Sequence, residues 1–136
     1  MKEVQTDLLE IIKADYQRFP DNQTFEIYAE NVYFKDPLNE FRGVKKYCEM
    51  IGMLDRLFSN IELKTHSIER EGATIKTEWT LDMTSPLPWK PSISIPGWSE
   101  LKINSDNLIC SHIDYWHISP WNVLTQNFFS SQKASQ

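Results

Sequence analysis

Glycine and cysteine are scarce in this chain of 136 residues, which also lacks a basic excess and a long apolar run. With only four scattered glycines, no glycine-rich phosphate loop is available, and we expect no nucleotide cofactor. The formal net charge of −5 leaves no surplus cations to meet phosphates, which argues against nucleic acid and an anionic membrane as partners. No run of about 18 apolar residues occurs, so no transmembrane helix is predicted.

Cysteine and histidine show no metal-binding spacing. Cys48 and Cys110 lie in a predicted helix and a predicted strand, and we predict reduced, buried thiols rather than a disulfide. Reduced thiols and a polar N-terminus without a signal peptide favour a cytoplasmic location. His66, His112 and His117 have no helical ligand spacing, and the last two differ in strand parity, so we predict no metal and no other cofactor.

Aromatic residues, in contrast, make up 12% of the chain. Most would fill a core, and the surplus is typical of a pocket or an interface. Before residue 60, apolar residues recur at spacings of three and four, which predicts helices. Their apolar faces are Leu8, Leu9, Ile12, Tyr16 and Phe19 in the first helix, Phe25, Tyr28, Ala29 and Val32 in a shorter second, and Val44, Tyr47, Cys48, Ile51, Leu54 and Phe58 in the third. Pro20 ends the first helix.

A short strand lies between the second and third predicted helices. If Val32 and Phe34 face the core, the alternation of a strand places Asp36 on the same inner side. Pro37 begins a loop that closes near Gly43. This stretch therefore places the carboxylate of Asp36 at the mouth of any pocket that the surrounding apolar residues enclose.

Beyond residue 60 the apolar period changes to 2, which predicts antiparallel strands. Alternating inner positions are Ile61, Leu63 and Thr65, followed by Ile75, Thr77, Trp79, Leu81 and Met83. Glu71-Gly72 and Ser105-Asp106-Asn107 are typical of turns. The prolines from Pro86 to Pro96 argue against a regular central strand there, and further strands are predicted at 98–103 and 108–118.

Helices followed by four or five antiparallel strands, with no internal boundary or repeat, predict one α+β domain at 1–129. The polar residues 130–136 are predicted to form a disordered tail. Three N-terminal helices covering the concave side of a curved sheet leave a cone, and the open end of a cone is a natural pocket.

This order, with Phe34-Lys35-Asp36-Pro37 before Gly43 and a last strand at 109–116, resembles the nuclear-transport-factor-2-like superfamily over about residues 6–128. That superfamily includes ketosteroid isomerases and SnoaL-like polyketide cyclases, and the chain is most similar to an uncharacterised cyanobacterial and plastid branch. The resemblance implies a cone-shaped fold that is frequently a homodimer through the sheet. It does not imply a reaction, because the fold serves enzymes, binders and scaffolds.

The resemblance also implies roles for single residues. Asp36 matches the aspartate that is the general base of those isomerases, and Tyr16 falls near their oxyanion-binding tyrosine. Trp116 matches a pocket tryptophan of the last strand, and its parity also turns His112 and Asp114 toward the pocket.

The pattern departs from the isomerases at Ser99, which stands about where they carry a second, protonated acid. A serine donates a weaker hydrogen bond, and the spacing from Tyr16 to Asp36 is shorter than in the isomerases, so steroid isomerisation is not expected. Tyr16 is alternatively a core tyrosine with its hydroxyl at the surface. We predict that the ligand is contacted by Tyr47, Trp79, Trp98, Ser99 and Trp116.

The acidic residues have two interpretations each. Asp36 either moves a proton, aided by apolar surroundings that raise a carboxyl pKa, or caps the turn that follows it. Asp114 either faces the pocket or forms an ion pair with Arg42 or Lys46. His112 and Asp114 lie two residues apart on one strand face, so they form either a proton relay or an ordinary polar patch.

Three functional hypotheses follow. In the first, which we favour because only part of the catalytic pattern is present, the chain binds a mostly apolar small molecule oriented by Asp36, Asp114 and Tyr16. In the second, it is an isomerase or cyclase with Asp36 as the base. In the third, it is a non-catalytic interaction module whose sheet and proline-rich segment from Pro86 to Trp98 bind protein. The purely structural alternative for that segment is a hairpin connection whose tryptophans pack back on the domain.

Overall fold

The computed structural model describes residues 2–134, with side chains described for residues 8–128. The elements are α1 (Lys2–Arg18), a 3₁₀ turn (Phe25–Ile27), β1 (Tyr28–Lys35), β2 (Glu40–Arg42), α2 (Val44–Leu57), β3 (Ser59–Glu71), β4 (Thr74–Thr84), β5 (Ser92–Ile103), β6 (Ile109–Trp116) and α3 (Pro120–Ala134). The strands form one sheet in the order β2-β1-β6-β5-β4-β3. All neighbouring strands are antiparallel except β1 and β6, which are parallel.

The predicted α+β cone is confirmed, because a curled, open sheet and three α-helices enclose one cavity. Two details of the prediction are wrong. The sheet has six strands and is mixed, since β1 returns parallel to the last strand. The third α-helix follows the sheet instead of preceding it.

The predicted second helix is a 3₁₀ turn followed by β1. Tyr28 lies opposite Ile109 and Tyr33 lies opposite Ser111, so a step of five residues in β1 matches a step of two in β6. This irregularity is a bulge, and it leaves Ala29 and Val32 buried although they are three residues apart. The bulge therefore imitates the apolar spacing of a helix.

Pro96 lies inside the central strand β5, against the expectation that prolines exclude a strand there. The amide of His117 donates to the carbonyl of Pro96 over 2.8 Å. In an antiparallel ladder the N and O of one residue point to the same side, so the missing N–H of Pro96 faces β6 rather than β4. Pro96 lies opposite His117, just past the end of β6 at Trp116, so the hydrogen bond it cannot donate belongs to the end of the β5–β6 ladder. The pairing of β5 with β4 is unaffected.

Helix α3 is absent from the sequence predictions, which end in a strand reaching Ile118. The side chain of Ser119 caps the helix by accepting from the amide of Asn122 over 3.1 Å, and Pro120 is the first helical residue. Serine followed by proline is a recognised start signal, so the helix was readable from the sequence. It continues to Ala134 and residues 135–136 lie outside the described part, so the tail at 130–136 stays a prediction.

The core lies on the concave face of the sheet, where β4 and β5 alternate. The inner side chains include Ile75, Thr77, Trp79, Met83, Ile93, Ile95, Ser99 and Leu101.

The predicted helices α1 and α2 and the turn at Glu71-Gly72 are confirmed. Both cysteines are free, but Cys48 is exposed, so its predicted burial is wrong. Among the described residues, no helix has the length and apolar character needed to cross a bilayer.

Candidate functional site

A cavity of about 670 Å³ lies between the three helices and the concave face of the sheet. This volume lies within the range of small-molecule sites. Most of its wall is apolar, and the apolar contributions include Ile12 from α1, Met50 and Leu54 from α2, and Met83, Ile93 and Ile95 from the sheet. The cavity is therefore a mostly apolar space bounded by the helices and the sheet.

A chain of hydrogen bonds crosses the polar end of the cavity. The indole Nε1 of Trp79 donates to Oγ of Ser99 over 2.8 Å, and this hydroxyl donates to Oδ1 of Asp114 over 2.6 Å. The same Oδ1 lies 2.7 Å from Nε2 of His112. The geometry follows from strand register, because Ser99 lies directly opposite Asp114 and His112 lies two residues before it.

The imidazole of His112 is enclosed by aromatic rings. Its ring centroid lies 5.1 Å from that of Phe34, 5.3 Å from that of Tyr47 and 6.2 Å from that of Tyr28. Its Nδ1 is buried and has no hydrogen-bond partner in the described part of the chain. An imidazolium would bury an unpaired N–H at this atom, so the packing suits a neutral ring that donates from Nε2 to Asp114.

Three tyrosines complete this end of the cavity. Burial raises the pKa of Tyr16, Tyr28 and Tyr47, and the negative charge of Asp114 acts in the same direction on all three. The hydroxyl of Tyr16 lies 3.1 Å from Oγ1 of Thr77, so it is paired inside the protein rather than at the surface. All three side chains therefore remain neutral phenols around a single carboxylate.

Asp36 lines the cavity as well as capping its own turn. Its Oδ1 accepts from the amides of Leu38 and Asn39 over 2.8 and 2.6 Å, and the side-chain amide of Asn39 lies 3.1 Å away. Burial raises the pKa of Asp36, although these hydrogen bonds oppose the rise and the charge of Asp114 adds to it. The two interpretations from the sequence are therefore compatible.

Asp15 is a buried carboxylate that the sequence reasoning missed, and it also lines the cavity. It accepts from Arg18 over 2.6 Å and from both the amide and the hydroxyl of Thr24, over 3.0 and 2.8 Å. These bonds tie the end of α1 to the loop before β1. Its sequence signal was weak, because an aspartate next to Tyr16 on an amphipathic helix usually faces solvent.

The structure brings together nearly all residues predicted for the site. Those that line the cavity are Asp36, Tyr16, His112, Asp114, Tyr47, Trp79, Ser99 and Trp116. Trp98 does not, because it neighbours Ser99 on β5 and strand alternation turns it to the opposite face. There its ring stacks on Tyr115 with centroids 4.3 Å apart. Within the described residues, Asp114 makes no ion pair with Arg42 or Lys46. The catalytic and binding roles remain predictions.

Helix α3 adds a wall that was not predicted, through Trp121, Leu124 and their neighbours. The amide of Gln126 accepts from N of Ser94 over 2.7 Å and donates to its O over 3.1 Å, in place of the β6 backbone that has already ended. Trp89 donates to the carbonyl of Asn127 over 2.6 Å. The tryptophans of the proline-rich segment thus pack on the domain.

A family model described as "Uncharacterized conserved protein (DUF2358)" matches residues 6–112. The chain belongs to this DUF2358 family. No curated protein matches the chain. Solved structures match the fold over nearly its whole length, and their low identities limit the likeness to the fold.

One similar structure is a hypothetical protein with a ketosteroid isomerase-like fold from Catenulispora acidiphila, in complex with trimethylamine. It is 18% identical with a TM-score of 0.71, and the match covers 90% of this chain and 95% of that one. An epoxide hydrolase from M. tuberculosis is 13% identical, with a TM-score of 0.73 and 96% of both chains covered. A putative SnoaL-like polyketide cyclase from Shewanella denitrificans is 13% identical, with a TM-score of 0.70 and 98% of both chains covered.

Proposed function

We propose that this DUF2358 protein binds one mostly apolar small molecule inside the cone. The observation that carries the proposal is a cavity of about 670 Å³ whose wall is mostly apolar, with a hydrogen-bonded polar cluster at one end. At that end Asp114 is held by Ser99 and His112, and Tyr16 lies beside them. An apolar body with one anchored polar group is the usual ligand of such a site.

Native mass spectrometry of protein purified gently from its own cells tests this proposal. We expect a reproducible extra mass that is lost in Ile95→Trp, which fills the cavity, and kept in Lys102→Trp, which points outward on the same strand. Circular dichroism checks that both variants fold, with Leu81→Trp as a second cavity-filling variant. Wild-type protein without a retained mass, and without a thermal shift in cell extract, would refute the proposal.

A second candidate is an enzyme of the isomerase or cyclase type, favoured by a His112–Asp114 hydrogen bond of 2.7 Å in a mostly apolar cavity. In this proposal Asp36 is the base, Tyr16 the hydrogen-bond donor to an oxyanion, and His112 with Asp114 a relay. Asp36→Asn would then abolish turnover and leave ligand affinity within about tenfold. A binder has no turnover to lose, so the same variant separates the two proposals.

The interaction-module hypothesis receives less support, because a scaffold needs no cavity and the cone is not filled. The resemblance also supports the proposal of a homodimer through the outer face of the sheet. On that face the rings of Trp98 and Tyr115 stack on each other, and the ammonium group of Lys76 lies near the Trp98 ring. Light scattering of the wild type and of Trp98→Glu tests it. The cytoplasmic location and the cyanobacterial origin also stay proposals. Fractionation of the source cells, followed by detection of this protein in each fraction, tests the location.

A further inference from the structure

The charged side chains on the cavity wall are all acidic among the described residues. Its acidic side chains are Asp15, Asp36 and Asp114, and its residues include no lysine and no arginine within the described part of the chain. Asp15 is neutralised by Arg18 at 2.6 Å. Asp36 and Asp114 have no lysine or arginine partner among the ion pairs of the described residues. The cavity therefore carries uncompensated negative charge.

Aromatic side chains lie at the same end of the cavity as Asp114, whose charge raises the pKa of both Tyr28 and Tyr47. The ring centroids of Tyr28 and Tyr47 lie 5.1 Å apart, and that of Tyr47 lies 5.3 Å from that of His112, which donates to Asp114. The faces of neutral aromatic rings attract cations, and the attraction grows where water is excluded. A carboxylate and aromatic rings at one end of a cavity together stabilise a positive group.

Hydrogen-bonding capacity at this end points the same way. The N–H of Trp79 and the O–H of Ser99 are already donated within the network. When Nε2 of His112 donates to Asp114, its Nδ1 has no proton to offer. Among the described residues at this end, tyrosine hydroxyls and the indole N–H of Trp116 remain as donors and no lysine or arginine is present, whereas the carboxylate of Asp114 keeps lone pairs to accept hydrogen bonds. A ligand group that donates fits better here than one that only accepts.

We propose that the ligand is cationic: an apolar amine whose ammonium group lies beside Asp114, at the end of the cavity lined by Tyr28 and Tyr47. This inference rests on the proposed small-molecule function and specifies its ligand class. The apolar body extends toward Met83, Ile93 and Ile95 on the sheet. Fatty acids, phosphates and other anions of the same size are excluded, because they would bury their charge near Asp36 and Asp114 without a counter-ion.

Three probes that share one rigid apolar body test the ligand class: adamantylmethylamine, adamantylmethanol and adamantanecarboxylate at neutral pH, by calorimetry on the full chain. We expect the amine to bind at least about tenfold more tightly than the alcohol, and the carboxylate not to bind. In Asp114→Asn, whose amide oxygen still accepts from Ser99 and His112, the amine should lose this preference while the alcohol binds as before.

The matched control is Asp82→Asn, the same chemical change at a residue outside the cavity, where Asp82 pairs with Lys64 over 3.1 Å. It should leave the amine preference unchanged. Equal or tighter binding of the alcohol or the carboxylate would overturn the cation proposal and leave the small-molecule function standing. An amine preference that survives Asp114→Asn would also overturn it. Binding of none of the three probes would contradict both proposals.

Discussion

Gly97 is the position where the inner wall of the cone depends most directly on a missing side chain. A Cβ built there would lie 2.5 Å from the carbonyl oxygen of Tyr115 and 2.7 Å from Cη2 of Trp79. Carbon atoms in contact prefer about 3.5–4.0 Å, so Gly97→Ala requires something to move. The carbonyl belongs to the β5–β6 ladder, and the indole is held by its hydrogen bond to Ser99.

The magnitude follows from these contacts. Overpacking a core costs about 1–3 kcal/mol, and displacing Trp79 also breaks a buried hydrogen bond worth about 1 kcal/mol. Alanine restricts the unfolded chain more than glycine does, and this entropy effect offsets about 0.4–1 kcal/mol of the lost stability. We therefore expect Gly97→Ala to lower the free energy of unfolding by about 1–3.5 kcal/mol.

Urea unfolding followed by circular dichroism measures this loss. The matched control is Gly52→Ala in α2, where an added Cβ would meet only Nη1 of Arg56 at 3.8 Å. That variant should gain about 0.5–1 kcal/mol, because glycine weakens a helix interior. If Gly97→Ala were as stable as the wild type, or gained stability as the helix variant does, the reasoning from the Trp79 contact would be refuted.

Three further predictions concern the site and its walls. Because burial raises the pKa of Asp36 in the folded state, the folded protein takes up its proton first as pH falls. Asp36→Asn should therefore be more stable than the wild type near pH 7, with the gap closing toward acid pH, and urea midpoints measured against pH check this. A gap that widens toward acid pH would contradict the sign. Tyr16→Phe should lower the free energy of unfolding by about 1 kcal/mol, because it leaves the hydroxyl of Thr77 without its partner. Thr77→Val should cost less stability in the Tyr16→Phe background than in the wild type, and additive losses in this double-mutant cycle would contradict the hydrogen bond. Gln126→Ala should speed hydrogen exchange at the amide of Ser94 by at least about threefold, and unchanged exchange would show that α3 is not held there.

Local periodicity was enough to predict the elements whose apolar pattern is regular. Helices α1 and α2, the turn at Glu71-Gly72 and the inner face of β4 followed from spacings of three and four or of two. The resemblance placed Trp116 at the pocket, and strand parity then turned His112 and Asp114 to the same side, where all three line the cavity.

Parity also explains the residue that was misplaced. Trp98 and Ser99 are adjacent on β5, so both cannot face the cavity, and the pattern of inner residues on that strand assigns the inside to Ser99. Asp15 and the wall formed by α3 were missed for another reason. The wall formed by α3 depends on Gln126 meeting Ser94, 32 residues away, which no local spacing records. The burial of Asp15 depends on the loop that carries Thr24 folding back against the end of α1, and helical periodicity says nothing about that loop.

The amino-acid sequence alone determined the class of the fold, the loop that carries Asp36 and the set of polar side chains on the last strand. Tertiary structure decided the parallel pairing of β1 with β6, the bulge that gives β1 a helix-like spacing and the tolerance of Pro96 in a central strand. Each of these depends on which strand lies alongside and where that strand ends. A periodic pattern specifies which face of an element is apolar, whereas the partner of that element is chosen by contacts across the whole chain.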